Sequence, residues 1–403
     1  MKKTKVLILF IIIVLVSLFF IPKTPKDTRE EVSFYTLQLG TFSDYINGVI
    51  SQFEKENPNV KIKWIDVPYS EGEKRALASI LSDNPPDIIN LTPDFSLSLA
   101  QKNALTFISE KDLEQFVPAL LDSVRYGENY YAFPFYATSA VTVYNEDLIS
   151  HEEIPSTYSE LFNLCEIYDS NGAYLTMISF NENDTLLKIL NKYGIKTPDD
   201  LLSEKSTALF EQLRRLYKEG KIPKESITQS HREGLEKFMS GQLALLNVGV
   251  NFINIIKENA PQVYEKTHIS FQLSSEDGEF DYSLMNFVVP KKAKHKENAV
   301  KFILFLTNKN NQLELSKLTS VLSTNEEALE DDFFSLSADN LMSEARYISS
   351  AQLNNPIKPI EIHKNRKEII SLSSEFIQKV LLTDDDIGEL TADFAKKWKK
   401  LEL

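Results

Sequence analysis

The sequence contains almost no cysteine: Cys165 is the one cysteine among 403 residues. A single cysteine cannot form an internal disulfide, and it excludes zinc sites that need several thiolates. The five histidines show no His-x-x-x-His pair or other ligand spacing, so no metal centre is predicted. We expect Cys165 to be a buried, unreactive thiol, because free cysteine usually packs as a small hydrophobic side chain.

Glycine and proline are also scarce, with 12 and 16 residues, so long flexible linkers are not expected. Basic residues are in the minority: 44 Lys and Arg against 58 Asp and Glu give a net charge of −14. Because nucleic-acid binding requires a positive surface, a nucleic-acid partner is disfavoured. The sequence lacks a Gly-x-Ser-x-Gly motif, a phosphate-binding loop and a dinucleotide fingerprint, so neither a cofactor nor an enzymatic activity is predicted.

The overall composition is that of an ordinary globular protein, with 42% apolar and 25% charged residues. A disordered, fibrous or multi-spanning membrane chain has a different balance. At roughly 150 residues per domain, a chain of this length divides into two or three lobes.

The one long apolar run lies at the amino terminus. Lys2, Lys3 and Lys5 precede the run Val6–Ile21, which is the layout of an export signal. As a helix the run reaches roughly 24 Å, slightly less than a hydrocarbon core of about 30 Å. Neither a small-residue cleavage site nor a cysteine for lipid attachment follows it. We therefore predict that residues 1–31 are a retained signal anchor and tether, with atypical cleavage as the alternative, and that the rest is extracytoplasmic.

Hydrophobic periodicity indicates an α/β protein. Apolar strand-like runs at Val32–Leu37, Val60–Val67 and residues 87–91 are separated by amphipathic helical patterns, which predicts a parallel sheet covered by helices. The second half alternates similarly, for example in the helix Ser230–Met239 and the strand Leu243–Val248. Two α/β lobes without a long linker should be joined by short crossing segments, and the cleft between lobes is a preferred ligand site.

Several short segments occur in a distinctive order along the chain. They are Glu54–Val60, Asn84–Ile88, Tyr130–Tyr136, Val143–Leu148, Gly220–Pro223, Phe238–Ala244, Asn286–Lys291 and Ala299–Phe302. In this order and spacing, from about Val32 to Trp398, the sequence resembles the family 1 extracellular solute-binding proteins. These are the sugar-binding components of ABC importers and are related to maltose-binding protein.

The resemblance implies a two-lobed periplasmic-binding-protein-like fold (type II) that closes over its ligand about a hinge. The N-terminal lobe would comprise residues 32–136 and 284–322, and the C-terminal lobe residues 137–283 and 323–403. The implied function is capture of a sugar or polyol and its delivery to an ABC permease in the membrane. By this resemblance the protein is a monomer and a binding protein, not an enzyme.

Candidate ligand-binding residues follow the predicted strands, because open α/β sheets bind ligands at the carboxyl ends of strands. Gln38 follows the first strand and Asp94 follows the third. In the family that the sequence resembles, the residue at the position of Asp94 is often a carboxylate that binds the sugar. Tyr69 precedes a helix, and Tyr136 and Ser139 lie in a crossing segment where the family places contacts and hinge together. A solvated loop amide for Gln38, a helix N-cap for Asp94 and simple packing for the tyrosines are the alternatives.

Three further candidates come from the second half of the chain. Asn251 begins the helix after Gly249, where free backbone N–H groups can hold a polar ligand, although it could equally be an N-cap. Asn286 could be a strand-edge amide, and His363 could lie on a helix surface. The two tryptophans, Trp64 and Trp398, lie in a strand and near the end of the chain, so tyrosine or phenylalanine would have to stack on a sugar.

Two other functions remain open at this point. A membrane-tethered adaptor or sensor could keep the fold without transport, which the unusual anchor favours. An extracytoplasmic glycosidase would need an acid/base pair, for which the sequence offers only generic carboxylates such as Asp94 or Asp384–Asp386. The acidic triplet is better explained as a helix start, because carboxylates are stabilised at that end of the helix dipole.

Overall fold

The computed structural model describes residues 27–170, 172–182, 184–336, 340–362 and 365–403. The predicted signal anchor therefore lies outside the described residues, apart from the end of its tether. Among the described residues, no helix combines the length and the apolar character that crossing a membrane requires.

Strands and helices alternate along most of the chain. The strands are β1 Glu30–Leu37, β2 Val60–Val67, β3 Ile88–Leu91, β4 Arg125–Tyr126, β5 Asn129–Tyr130, β6 Phe133–Thr138, β7 Ala140–Asn145, β8 Leu245–Gly249, β9 Thr267–Phe271, β10 Ser283–Val288 and β11 Leu322–Ser323. The α-helices are α1 Ser43–Glu56, α2 Tyr69–Ile80, α3 Pro93–Gln101, α4 Tyr158–Ile167, α5 Thr185–Lys192, α6 Glu204–Lys218, α7 His231–Met239, α8 Phe252–Asn259, α9 Pro261–Tyr264, α10 Lys296–Leu306, α11 Lys309–Leu318, α12 Glu326–Leu329, α13 Leu341–Gln352, α14 Arg366–Leu382 and α15 Ile387–Glu402. Short 3₁₀ turns connect several of them.

The first lobe is built on a six-stranded sheet with the order β11-β6-β10-β3-β1-β2. β1 pairs in parallel with β2 and β3, as the sequence predicts, whereas β10 is antiparallel to both β3 and β6. The sheet is therefore mixed. β10 joins it after the chain has passed through the other sheet.

Helices bury both faces of this sheet. All four residues of β3 are buried, which is typical of a strand covered on each side. Phe34 packs edge-to-face against Phe287 and Phe302, with ring centroids 5.5 and 5.2 Å apart. These contacts fix β1, β10 and α10 relative to one another and hold the strand ends that carry the candidate site.

The second lobe has a three-stranded antiparallel sheet with the order β8-β7-β9. A helical layer formed by α6, α14 and α15 packs together through the aromatic rings of Phe210, Phe376 and Phe394. Trp398 is fully buried beside them. Cys165 is also fully buried in this core, and burial raises the pKa of its thiol to about 12, which confirms the prediction of a buried thiol and keeps the thiolate fraction low.

The segments that pass between the two sheets meet at one buried hydroxyl. Ser139 is the single residue between β6 and β7, and its Oγ donates a hydrogen bond to the Asp281 carbonyl at 3.1 Å. The same oxygen accepts hydrogen bonds from Gln272 Nε2 at 2.8 Å and Gln352 Nε2 at 2.9 Å. Three chain segments are thereby joined at a hub, which we call the crossing hub (Ser139, Gln272, Asp281 and Gln352).

Candidate functional site

A cleft of about 580 Å³ lies between the two lobes. The first lobe contributes the segment after β3, residues of β6 and the start of β10, and the second contributes α5 and the chain that leads into α14. The lining residues are Thr92, Pro93, Asp94, Ser123, Tyr136, Thr138, Asp184, Leu187, Lys188, Asn191, Asp281, Tyr282, Ser283, Leu284, Met285, Ile357, Pro359, Ile360, Ile362 and Arg366. This volume is within the range of small-molecule sites, roughly 300–1,000 Å³.

Asp94 is presented to the cleft by the turn from β3 into α3. Pro93 occupies the first position of that helix, where proline suits the backbone, and Asp94 is the acid of the first turn. A carboxylate is favourable there because the helix dipole is positive at its amino end. The Asp94 side chain is not used as a helix cap, so its oxygens face other groups.

One ion pair connects the two walls of the cleft. Arg366, the first residue of α14, places its Nε 2.9 Å from Asp94 Oδ2. The Asp94 side chain remains 54% exposed and that of Arg366 32% exposed. Because solvent-exposed pairs contribute only about 0–1 kcal/mol, this contact can rearrange at little cost when a ligand enters.

Each carboxylate of the cleft has a cationic partner. Besides the pair of Asp94 with Arg366, Asp184 Oδ2 lies 2.9 Å from Lys188 Nζ, and Asp281 Oδ2 lies 2.8 Å from Lys192 Nζ. Among the described residues, these three acids and three bases together carry no net charge, although the whole chain carries −14. An electrically balanced cleft suits an uncharged ligand, because an ionic ligand would lose hydration without gaining a free counter-charge.

Two tyrosines supply the aromatic surface of the cleft. Tyr136 on β6 and Tyr282 just before β10 both line it. The hydroxyl of Tyr282 can donate a hydrogen bond, and burial raises its pKa. Among the described lining residues none is tryptophan: Trp64 instead donates from Nε1 to Thr36 Oγ1 at 2.7 Å within the first lobe.

The structure brings together two of the residues predicted from sequence, Asp94 and Tyr136, on the cleft wall. Ser139 lies in the crossing hub, 5% exposed, with its hydroxyl already hydrogen-bonded. Asn286 is completely buried in β10, where its Oδ1 accepts a hydrogen bond from Ser96 Oγ at 2.8 Å. These two side chains position the strands behind the cleft and do not line it.

The remaining predicted residues lie elsewhere or outside the described ranges. Gln38 is exposed after β1 with φ 54°, and its backbone N–H donates to Val67 O at 2.9 Å. Asn251 is exposed at the N-cap position of α8 and makes no side-chain capping hydrogen bond. Neither lines the cleft. Tyr69 is the first residue of α2, and His363 lies outside the described residues. Their contacts with a ligand stay predictions.

Sequence reasoning missed the part of the site that helix α5 supplies. Helix α5 was not predicted, although Leu186, Leu187, Ile189 and Leu190 have helical spacing and glycine at 194 follows the helix. Its two polar cleft residues, Lys188 and Asn191, were therefore overlooked. The sequence could also have indicated that Lys192 is buried, because it is a lysine on the apolar face of that helix.

No group of three or more His, Cys, Asp or Glu residues that could hold a metal ion occurs in the described ranges. The chemistry available in the cleft is hydrogen bonding from carboxylates, hydroxyls and an amide, together with contact on tyrosine rings and aliphatic side chains. Such a set binds a polar, uncharged molecule with both hydroxyl groups and apolar faces.

Comparisons with known proteins agree with this arrangement. The family model of the bacterial extracellular solute-binding proteins matches residues 48–342. A Bacillus subtilis galactooligosaccharide-binding protein is 23% identical over an alignment of 302 positions, which covers 67% of this chain and 67% of that protein.

Two solved structures show the same fold. A periplasmic-binding protein from Synechococcus sp. MITs9220, assigned to oligosaccharides, has a TM-score of 0.79 and 25% identity, covering 92% of this chain and 98% of that one. A family 1 extracellular solute-binding protein from Bifidobacterium longum subsp. infantis has a TM-score of 0.73 and 19% identity, covering 93% and 100%. The predicted two-lobed α/β fold is thereby confirmed.

Proposed function

Because this chain belongs to the bacterial extracellular solute-binding protein family, we propose that it captures a sugar or polyol in the cleft between its lobes and delivers it to the permease of an ABC importer. Family membership implies an extracytoplasmic location and a binding role. The family and the similar structures are binding proteins, and the proposal involves no bond-making step.

The observation that carries this proposal is the pairing of each described cleft carboxylate with a cationic side chain. Asp94, Asp184 and Asp281 are strong hydrogen-bond acceptors whose charges are compensated by Arg366 and lysines. Sugar hydroxyls donate to such acceptors, while the C–H faces of the sugar pack on tyrosine rings. The names of the similar proteins, which mention galactooligosaccharides and oligosaccharides, support the same class of ligand.

We further propose that the lobes are rigid bodies that close over the ligand. The N-terminal lobe would be residues 32–136 with 284–322, and the C-terminal lobe residues 137–283 with 323–403. The crossing hub, where three segments meet at Ser139, is suited to be the hinge. A ligand that contacts both lobes stabilises the closed state, because it binds that state better than the open one.

Residues 1–31 would act as an uncleaved anchor that keeps the binding lobes at the outer face of the cytoplasmic membrane. The basic residues before the apolar run and the proline-containing tether after it support this proposal. A tethered monomer would remain close to its permease partner.

A thermal-shift screen against saccharides and polyols tests the function. A ligand at 100 times its Kd adds about 2.7 kcal/mol to the free energy of unfolding, so at least one compound should raise the melting temperature by several degrees. Chromatography of the same mixtures should show the compound unchanged. Turnover of a bound sugar would identify a glycosidase, and a melting temperature that no compound moves would favour a non-transport adaptor.

A further inference from the structure

Lys192 is the most deeply buried charged side chain that borders the site. Its side chain is 1% exposed at the carboxyl end of α5. A buried ammonium is costly unless it is paired and hydrogen-bonded, and burial lowers the pKa of Lys192 while Asp281 opposes that shift. Its position therefore requires the partners that surround it.

Those partners join the cleft to the crossing hub. Lys192 Nζ lies 2.8 Å from Asp281 Oδ2 and donates to the Leu273 carbonyl and, at 3.4 Å, to Gln272 Oε1. The ring of Tyr158 lies on another side, with its centroid 5.7 Å from Nζ. All the polar contacts of the ammonium are thus with the segment that follows β9 and returns to β10.

The carboxylate of Asp281 contacts Lys192 and also borders the cleft. Its side chain is 26% exposed and lines the cleft. Its backbone carbonyl accepts hydrogen bonds from Ser139 and from Gln272 Nε2 at 2.8 Å. Both the main chain and the carboxylate of Asp281 are therefore fixed in place.

This pair differs from the other two ion pairs of the cleft. Arg366 and Lys188 have side chains that are 32% and 51% exposed, so each can move away from its acid into solvent. Lys192 has no such freedom because protein surrounds it. Among the three cleft carboxylates, Asp281 is the one whose orientation the protein determines most completely.

We propose that Lys192 is a positioning residue that holds Asp281 as a preoriented hydrogen-bond acceptor for a hydroxyl group of the bound sugar. This inference rests on the proposed function and adds to it a specific acceptor in the cleft and the buried group that orients it. Lys192 does not contact the ligand itself. Preorientation favours binding because the acceptor loses little conformational entropy when the ligand arrives.

The test compares Lys192→Met, Asp281→Asn and the double variant with the wild-type full chain. Calorimetric titrations use maltotriose and galactotriose, at a temperature where circular dichroism shows each variant to be folded. Lys397→Met is the matched control, since Lys397 forms an exposed pair with Asp393 on α15 and should change the affinity by less than twofold.

We expect Lys192→Met to weaken binding of whichever trisaccharide binds by at least tenfold, and Asp281→Asn to do the same. The double variant should bind no more weakly than Asp281→Asn, because Lys192 acts through Asp281. Wild-type affinity in folded Lys192→Met, or losses that multiply in the double variant, would overturn the proposal.

If Lys192→Met does not fold, the double variant decides, because removing both charges leaves no unpaired buried ion. Wild-type affinity in that variant would refute a role for the pair in binding, and a loss of tenfold or more would support it. A wild-type chain that binds neither trisaccharide, nor any compound of the thermal-shift screen, would contradict the proposed function itself.

Discussion

Asp94→Ala is expected to weaken sugar binding by about 10- to 100-fold. A hydrogen bond to a charged group contributes about 1.5–3 kcal/mol, and Asp94 is the cleft carboxylate of the first lobe, with a side chain that is half exposed to the cleft. The free energy of unfolding should change by no more than about 1 kcal/mol, because the pair with Arg366 is solvent-exposed. Titration calorimetry and urea unfolding measure the two effects separately.

Asp122→Ala is the matched control for this prediction. Asp122 also belongs to the first lobe, is 50% exposed and pairs with Lys358 at 2.6 Å, but it does not line the cleft. Its loss should change the affinity by less than twofold. Equal affinities of Asp94→Ala and wild-type protein would show that the sugar does not use this carboxylate.

Asp281→Asn is expected to destabilise the protein by about 3–5 kcal/mol at neutral pH, because it leaves the ammonium of Lys192 buried without a counter-ion. Burial already lowers the pKa of Lys192, and loss of Asp281 should lower it further. The unfolded chain keeps this proton up to about pH 10.4, whereas the folded variant releases it at lower pH. Between these two pH values the unfolded variant binds more protons than the folded variant, so the free energy of unfolding of Asp281→Asn rises with pH. Its deficit relative to wild type therefore becomes smaller.

Urea unfolding of wild type and Asp281→Asn at pH 7 and pH 9.5 measures this change. The double variant with Lys192→Met is the control, since it has no buried ammonium and its deficit should not depend on pH in this way. A deficit in Asp281→Asn that stays constant or grows with increasing pH would show that Lys192 is not the group responsible.

The sequence predicted Asp94 and Tyr136 of the cleft, whereas Lys188, Asn191, Asp281 and Arg366 were not predicted. Asp94 was found because it follows β3, a short apolar strand whose carboxyl end could be recognised from local pattern. Asp281 and Arg366 line the same cleft, although they follow Asp94 by 187 and 272 residues in the sequence. No local periodicity encodes such an approach, because it results from packing of the two lobes.

Asn286 shows how a local irregularity misleads a correct strand prediction. The predicted strand exists as β10, but its register with β6 shifts between Met285 and Asn286. Such a bulge changes which residues face each side of a strand. Leu284 and Met285 consequently line the cleft, while Asn286 is buried against Ser96.

The predicted role of Asn251 depended on a helix start that does exist. α8 begins at Phe252 with Asn251 as its N-cap residue, as the pattern after Gly249 indicated. The orientation of that helix end relative to the cleft, however, depends on how β8 and α8 pack in the second lobe. Secondary structure could thus be predicted at this position from sequence, whereas its distance from the ligand site could not.

A calorimetric titration of a saccharide into wild-type protein and into Ser283→Trp determines whether the cleft between the lobes is the sugar-binding site. Ser283 is exposed and lies on the cleft wall at the start of β10, so an indole there should fill the cleft without disturbing the core. We expect saturable binding of one saccharide per wild-type molecule and loss of that binding in folded Ser283→Trp. Undiminished binding by that variant would show that the sugar binds somewhere other than the cleft.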